Sequence, residues 1–282
     1  MFGPNVKATL DGRKFHHRGS DYHDLIHNLE QAFQKRWGNR HEYLFLSGSG
    51  TLANEAVLFS SEGKYSTLKH PGEFASRLKK LARTHNRLDM TSRSKMWPQY
   101  ETADALPVEE PPTQEGAHFA DCVSAFPYYD PPKSATVWTT VSSKQLGGFP
   151  ICSVVAVRPG MWEFMRPDCD YSVLNLARYR ASQAEGMSPH TPSIPLLQDL
   201  LERVEALNLP EFRSFIDERR RIVLDHFGEA AVGEGPVVNV MGVRPATVER
   251  LQLYRNVHGQ VQLFLYSEPE VDVAKFCKEL TV

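Results

Sequence analysis

The chain has 282 residues, 41% hydrophobic and 23% charged, with a formal net charge of −2. This is an ordinary globular composition, long enough for one large core or two unequal domains, and whole-chain charge points to no class of partner. Four cysteines, Cys122, Cys152, Cys169 and Cys277, lie scattered without CxxC pairing, which argues against a disulfide framework or a zinc site. The opening residues MFGPNVKATLDGRK lack an apolar run of signal-peptide length, and no stretch approaches the roughly twenty apolar residues of a membrane span. The expectation is a cytoplasmic enzyme with no membrane partner.

In chain order, residues 1–20 are polar and irregular and end in a histidine-rich run. DYHDLIHNLEQAFQKRW follows as an amphipathic helix, with Leu25, Ile26, Leu29, Phe33 and Trp37 at helical spacing. HEYLFLSG is a short apolar strand, and GTLANEAVLFSS is a helix opened by a glycine-serine turn. EFASRLKKLARTHNR is a further helix, rich in positive charge. The prolines and acids of residues 104–116 predict a loop. Short strands are expected near 117–123, 135–141 and 151–157, and helices over SIPLLQDLLERVEAL and from Pro210 onward. The tail offers VVNVMGV and VQLFLYS as strands and VDVAKFCKEL as a closing helix. Strands alternating with helices predict an α/β fold, a mostly parallel sheet flanked by helices, with a small α+β C-terminal domain.

Three features on that pattern carry chemistry. Lys144 lies between two runs that read as buried strands, and a buried ammonium is costly unless paired or neutralised. Asp121 ends the apolar stretch before it. Upstream, SGSGTLANEA sets Ser49, Gly50 and Thr51 at a helix start, where free amides and the helix dipole suit a phosphate dianion. Lysine, acid and phosphate cradle, in this order, are the parts that hold pyridoxal phosphate. The lysine forms a Schiff base and the carboxylate pairs with the ring nitrogen. Each feature also has an ordinary reading: a plain strand-to-helix turn, a solvated strand-end acid, a surface lysine in a hairpin. Phe74 is either a helix core residue or a ring lying flat on the cofactor. Thr191 reads first as a helix N-cap, and His190 as structural.

These residues resemble the fold-type I pyridoxal-phosphate enzymes, and within them the class V aminotransferases, such as the alanine–glyoxylate, phosphoserine and aminoethylphosphonate aminotransferases. The resemblance runs from about His17 to the end of the chain. SGSGTLANEA is similar to the family's phosphate turn, and HPGEFASRLKKLA to the segment whose aromatic stacks on the ring. YETADA is similar to the turn that would bring Thr102 near the cofactor. FADCVSAF is similar to the segment of the pyridinium aspartate, with Ser124 beside it, and VSSKQLGGFP to the Schiff-base segment, with Ser143 before the lysine. SPHTPSIPLLQDL is similar to the piece that crosses a dimer interface. The resemblance therefore implies a homodimer with shared active sites, in which Thr191 reaches the partner's phosphate. It also implies a pyridoxal-phosphate-binding large domain at 16–205 and a small domain of 1–15 plus 206–282.

The chain departs from the family as well. It is shorter than usual, Ser143 stands where glutamine is common, and Ser188 where an aromatic is expected. Gln262 aligns where α-carboxylate-binding members carry an arginine, the usual bidentate clamp. Arg18, Arg178 and Arg180 are possible substitutes. The basic run 76–95 is either a solvated face or a surface for a nucleotide or DNA. Three readings stay open. The first is an aminotransferase-type enzyme on a small-molecule amine or amino acid. The second is a pyridoxal-phosphate-dependent decarboxylase, lyase or isomerase on an amino-acid-modified nucleotide or DNA base, as in bacteriophage DNA hypermodification. The third is a non-catalytic binding module.

Overall fold

The computed structural model describes residues 19–68, 72–111, 116–150, 152–167, 171–267 and 270–281. The chain enters through α1 (Ser20–Trp37), whose buried face holds Tyr22, Leu25, Ile26, Leu29 and Phe33. It continues through β1 (Glu42–Ser47), α2 (Gly50–Ser60), β2 (Ser66–Thr67), α3 (Glu73–Thr84), β3 (Lys95–Pro98), β4 (Tyr100–Glu101) and β5 (Leu106–Pro107). Then come β6 (Phe119–Asp121), β7 (Val137–Val141) and β8 (Cys152–Val157). Helices α4 (Leu176–Ala184), α5 (Ile194–Ala206) and α6 (Leu209–Phe227) follow.

A six-stranded sheet forms in the order β1-β8-β7-β6-β3-β2. β2, β3, β6 and β7 pair in parallel, and only β8 runs against its neighbours. β7 and β8 are buried along their whole length, as expected of strands covered on both faces. The alternation of their side chains divides the core. Tyr43, Phe45, Trp138, Val154 and Ala156 face the layer that includes α1, α5 and α6. Leu44, Leu46, Val137, Val155 and Val157 face the layer of α2, α3 and α4.

The tail makes a separate antiparallel sheet of β9 (Ala231–Val232), β10 (Val237–Val240) and, after α7 (Pro245–Arg250), β11 (Val261–Phe264), in the order β11-β10-β9. α6 and α8 (Val273–Thr281) pack beside it. The Tyr100 hydroxyl joins the two parts by donating to the Val237 carbonyl at 3.2 Å.

Several expectations are corrected. The basic helix stops at Thr84, because Asn86 takes a left-handed conformation with φ of 54° and turns the chain so that the Arg87 carbonyl accepts from Tyr65 N at 2.7 Å. The expected loop at 104–116 contains β5, paired with β4. The residue capping α5 is Ser193; Thr191 lies outside the helix and is exposed. α4 and β3 were not foreseen. α4 buries only Leu176 and Tyr179, too few apolar positions to show a helical period, and β3 is hidden at the end of the basic run. Among the described residues no helix is long and apolar enough to cross a membrane.

Candidate active site

The parallel strands end together, and their C-terminal ends present a cleft of about 240 Å³. Its wall includes Ser49, Gly50 and Thr51 from the start of α2, Asp121 from the end of β6, and Ser143 and Lys144 from the turn after β7. Phe74 and Arg77 reach it from the first turn of α3. Four segments far apart in sequence thus meet at one strand edge, the usual place for a ligand in an open α/β sheet.

The start of α2 is built for close approach. Ser49 is its N-cap, its hydroxyl accepting from Leu52 N at 3.3 Å. That leaves the amides of Gly50 and Thr51, which have no partner within the helix, at the cleft. A Cβ at Gly50 would come within 2.6 Å of the Val123 side chain. Glycine is therefore required for the helix start to reach the strand end that carries Asp121.

Asp121 is buried, and both of its oxygens are held. Oδ1 accepts from Val123 N at 3.0 Å, and Oδ2 from Asn54 Nδ2 at 2.7 Å. Asn54 is fixed in turn, because Thr139 Oγ1 donates to its Oδ1 at 2.5 Å. The direction of that bond orients the amide so that its nitrogen meets the carboxylate. Burial nevertheless dominates and raises the pKa of Asp121, against the lowering effect of the Val123 amide, Asn54, Lys144 and Arg77. A buried carboxylate in this state is stabilised by one more cationic donor on its cleft side.

Lys144 is half-buried. Its Nζ donates to Ser124 Oγ at 2.7 Å and lies 5.2 Å from the centroid of the Phe74 ring. Burial lowers its pKa, with Arg77 adding to the effect and Asp121 and Glu101 opposing it. The amine therefore loses its proton more readily than an exposed lysine. Phe74 is itself held in place: the fully buried Glu101 Oε2 accepts from Phe74 N at 2.9 Å and from Ala75 N at 3.3 Å, closing the first turn of α3.

Of the residues singled out in the sequence, Ser49, Gly50, Thr51, Phe74, Asp121, Ser143 and Lys144 line this cleft, with Ser124 bonded to the lysine. Thr102 is buried and does not line the cleft; its carbonyl accepts from Asn239 Nδ2 at 3.1 Å and from Gln262 Nε2. Gln262 is buried and borders a separate cavity in the small sheet. Arg178 and Arg180 lie on α4, where Arg180 pairs with Glu42 at 2.7 Å. Arg18 lies outside the described residues. Asn54, Thr139, Glu101 and the cleft position of Arg77 escaped the sequence reading. Arg77 sits three residues after Phe74 on one helix, so the helical period was a usable signal for it.

The backbone matches known structures over nearly its whole length. An aspartate aminotransferase of subgroup IV from Thermus thermophilus superposes with a TM-score of 0.82 at 20% identity, covering 97% of this chain and 93% of that one. An alanine–glyoxylate aminotransferase from Nostoc sp. gives 0.82 at 15%, covering 98% and 90%. A PLP-bound phosphoserine aminotransferase from Trichomonas vaginalis gives 0.78 at 13%, covering 99% and 97%. The chain has the fold of these aminotransferases. No protein-family model and no curated protein sequence matches it. Among the described residues no group of three or more His, Cys, Asp or Glu side chains is placed to hold a metal ion.

Proposed function

We propose that this chain is a pyridoxal-phosphate-dependent enzyme of aminotransferase type, acting on an amino-group substrate. The observation that carries the reading is the meeting in one cleft of a half-buried Lys144, whose ammonium is disfavoured, and a buried Asp121 whose two hydrogen-bond donors among the described residues are both neutral. The residues suited to hold the cofactor are Ser49, Gly50 and Thr51 for the phosphate, Phe74 for the ring face, Asp121 for the ring nitrogen and Lys144 for the aldehyde. Pyridoxal phosphate supplies an electron sink for the carbon that bears the substrate's amino group.

The protein's own residues do the rest. Asp121, oriented by Asn54 and Thr139, keeps a proton on the ring nitrogen. Lys144, with its lowered pKa, takes and returns the proton at the amino-bearing carbon. Ser124 holds the amine when it is not in use. Arg77, the arginine lining the cleft, supplies positive charge for an anionic substrate group. Its face of α3 also carries the exposed Lys80 and Arg83, and this favours the second reading of a nucleotide-borne amine or amino acid handled by a decarboxylase, lyase or isomerase. We further propose a homodimer in which the exposed Thr191 reaches the partner's site, with 16–205 as the cofactor-binding domain and 1–15 plus 206–282 as the small one.

The test is a visible absorption spectrum, then borohydride reduction and peptide mapping. Expected is a band with added pyridoxal phosphate that reduction fixes onto Lys144, lost in Lys144→Ala with turnover down roughly 10²–10⁴-fold. Amino donors that convert the band to the amine form support transamination, and turnover without a keto-acid acceptor supports the second reading. A protein that takes up no pyridoxal phosphate overturns both.

A further inference from the structure

The opposite edge of the main sheet holds a larger cavity, of about 520 Å³. The segments around it lie just before β2, β3, β6 and β7 and just after the reversed β8, so all come from the edge away from Lys144. Its wall is apolar at Tyr65, Met161 and Phe164, and open at Gly63 and Gly160, where an added Cβ would meet nothing within 4 Å. Among the described residues its charged groups are Lys64 and Arg158, with no carboxylate in the lining. Among the described residues the Arg158 guanidinium makes one hydrogen bond, from Nη2 to the Lys133 carbonyl. Its Nε is buried with no partner, and among the described residues no carboxylate pairs with it. Burial, aided by the positive charge of Arg40, lowers its pKa. A guanidinium that lines a cavity with a like-charged neighbour and no carboxylate partner among the described residues is a good receptor for an anion. The volume falls in the range of small-molecule sites, roughly 300–1,000 Å³.

We propose that this cavity is a second ligand site, separate from the Lys144 cleft, which takes a small organic anion. The anionic head binds Arg158 and Lys64, and the apolar body lies along Tyr65, Met161 and Phe164. Nothing in the proposal depends on Lys144 or on pyridoxal phosphate.

The probe is 8-anilinonaphthalene-1-sulfonate, an anionic aromatic dye, titrated by fluorescence against the full chain. Expected is saturable binding that pyridoxal phosphate reduced onto Lys144 leaves unchanged. It should weaken by about tenfold or more in Arg158→Gln, the equivalent of one lost charge-assisted bond. It should vanish in Gly160→Leu and independently in Gly63→Leu, which fill the space from two sides. The neutral N-phenyl-1-naphthylamine should bind about tenfold more weakly than the sulfonate. Circular dichroism and melting confirm the fold of each variant. Affinity within about twofold of wild type in Arg158→Gln and in a folded glycine variant, loss of binding once pyridoxal phosphate is reduced onto Lys144, or equal binding of the neutral dye would overturn the proposal.

Discussion

Two buried carboxylates stand within reach of the same lysine and are kept in different ways. Asp121, at the end of β6, has a donor on each oxygen, one from backbone and one from Asn54. Glu101, at the end of β4, takes the Phe74 and Ala75 amides on Oε2 and leaves Oε1 buried without a hydrogen bond among the described residues. Burial raises the pKa of both. Asp121 lines the cleft and Glu101 does not. The same chemical group is a ligand arm in one place and a strut in the other, and its neighbours decide which.

The largest effect should come from breaking the first of the pair. Asp121→Asn keeps the shape but replaces one accepting oxygen with an NH2, so either the Val123 amide or Asn54 Nδ2 loses its acceptor, and the charge that faces the cleft is removed. Turnover is expected to fall by roughly 10²–10³-fold, the scale of losing one pre-oriented electrostatic partner, with weaker uptake of pyridoxal phosphate and an intact fold. Full uptake and activity in this variant would show that Asp121 is only a strand-end acid.

Gly72→Ala attacks the second carboxylate without touching it chemically. A Cβ there would lie 2.1 Å from Glu101 Oε2, so the carboxylate must leave the first turn of α3 or the turn must move. The expected loss of stability is about 1–3 kcal/mol, and Phe74 should lose its place beside Lys144. Chemical denaturation reads the first effect, and near-ultraviolet circular dichroism the second.

Thr139→Val tests how Asp121 is oriented. The hydroxyl is the donor that fixes Asn54, and valine keeps the volume of this fully buried position. Without it the Asn54 oxygen is left unpaired or the amide turns over, at about 1–2 kcal/mol. Cofactor affinity should drop while the protein remains folded. An unchanged affinity would mean that the amide needs no second support.

How much of this was legible in the sequence follows the same division. Lys144, Asp121 and the turn at Ser49–Thr51 stood out because each breaks a local rule: a lysine among strands, an acid closing an apolar run, small residues at a helix start. The bracing could not be seen. Asn54 looks like any polar residue of α2 until Thr139, 85 positions away, meets it, and Glu101 gains its role from amides 26 and 27 positions earlier. Such pairings depend on strand order and register, which no local pattern specifies. Strands β1, β6, β7 and β8 were readable as short apolar runs, but β2, β3 and α4 were not, and the two buried residues of α4 give no period. The capping residue of α5 was misplaced for a related reason: Thr191 and Ser193 are both good caps in composition, and only the path of the backbone chooses between them.

The smallest effect is also the one that separates the two carboxylates most cleanly. A carboxyl whose folded pKa lies above its unfolded value binds its proton more tightly when folded. The stability it contributes is whole below the unfolded pKa and is lost as pH rises through the folded one. Glu101 and Asp121 both behave this way, so the cofactor-free protein should lose stability as pH rises above the ordinary carboxylate range. Glu101→Gln keeps an oxygen for the Phe74 and Ala75 amides but cannot ionise. Asp121 contributes to both wild type and variant, so subtraction leaves Glu101 with its coupling to Lys144 and Asp104. The melting temperature of Glu101→Gln, measured against wild type, should therefore rise as pH rises. Parallel curves would show that Glu101 carries no excess proton affinity in the folded chain, and its unpartnered oxygen would then have a donor in solution.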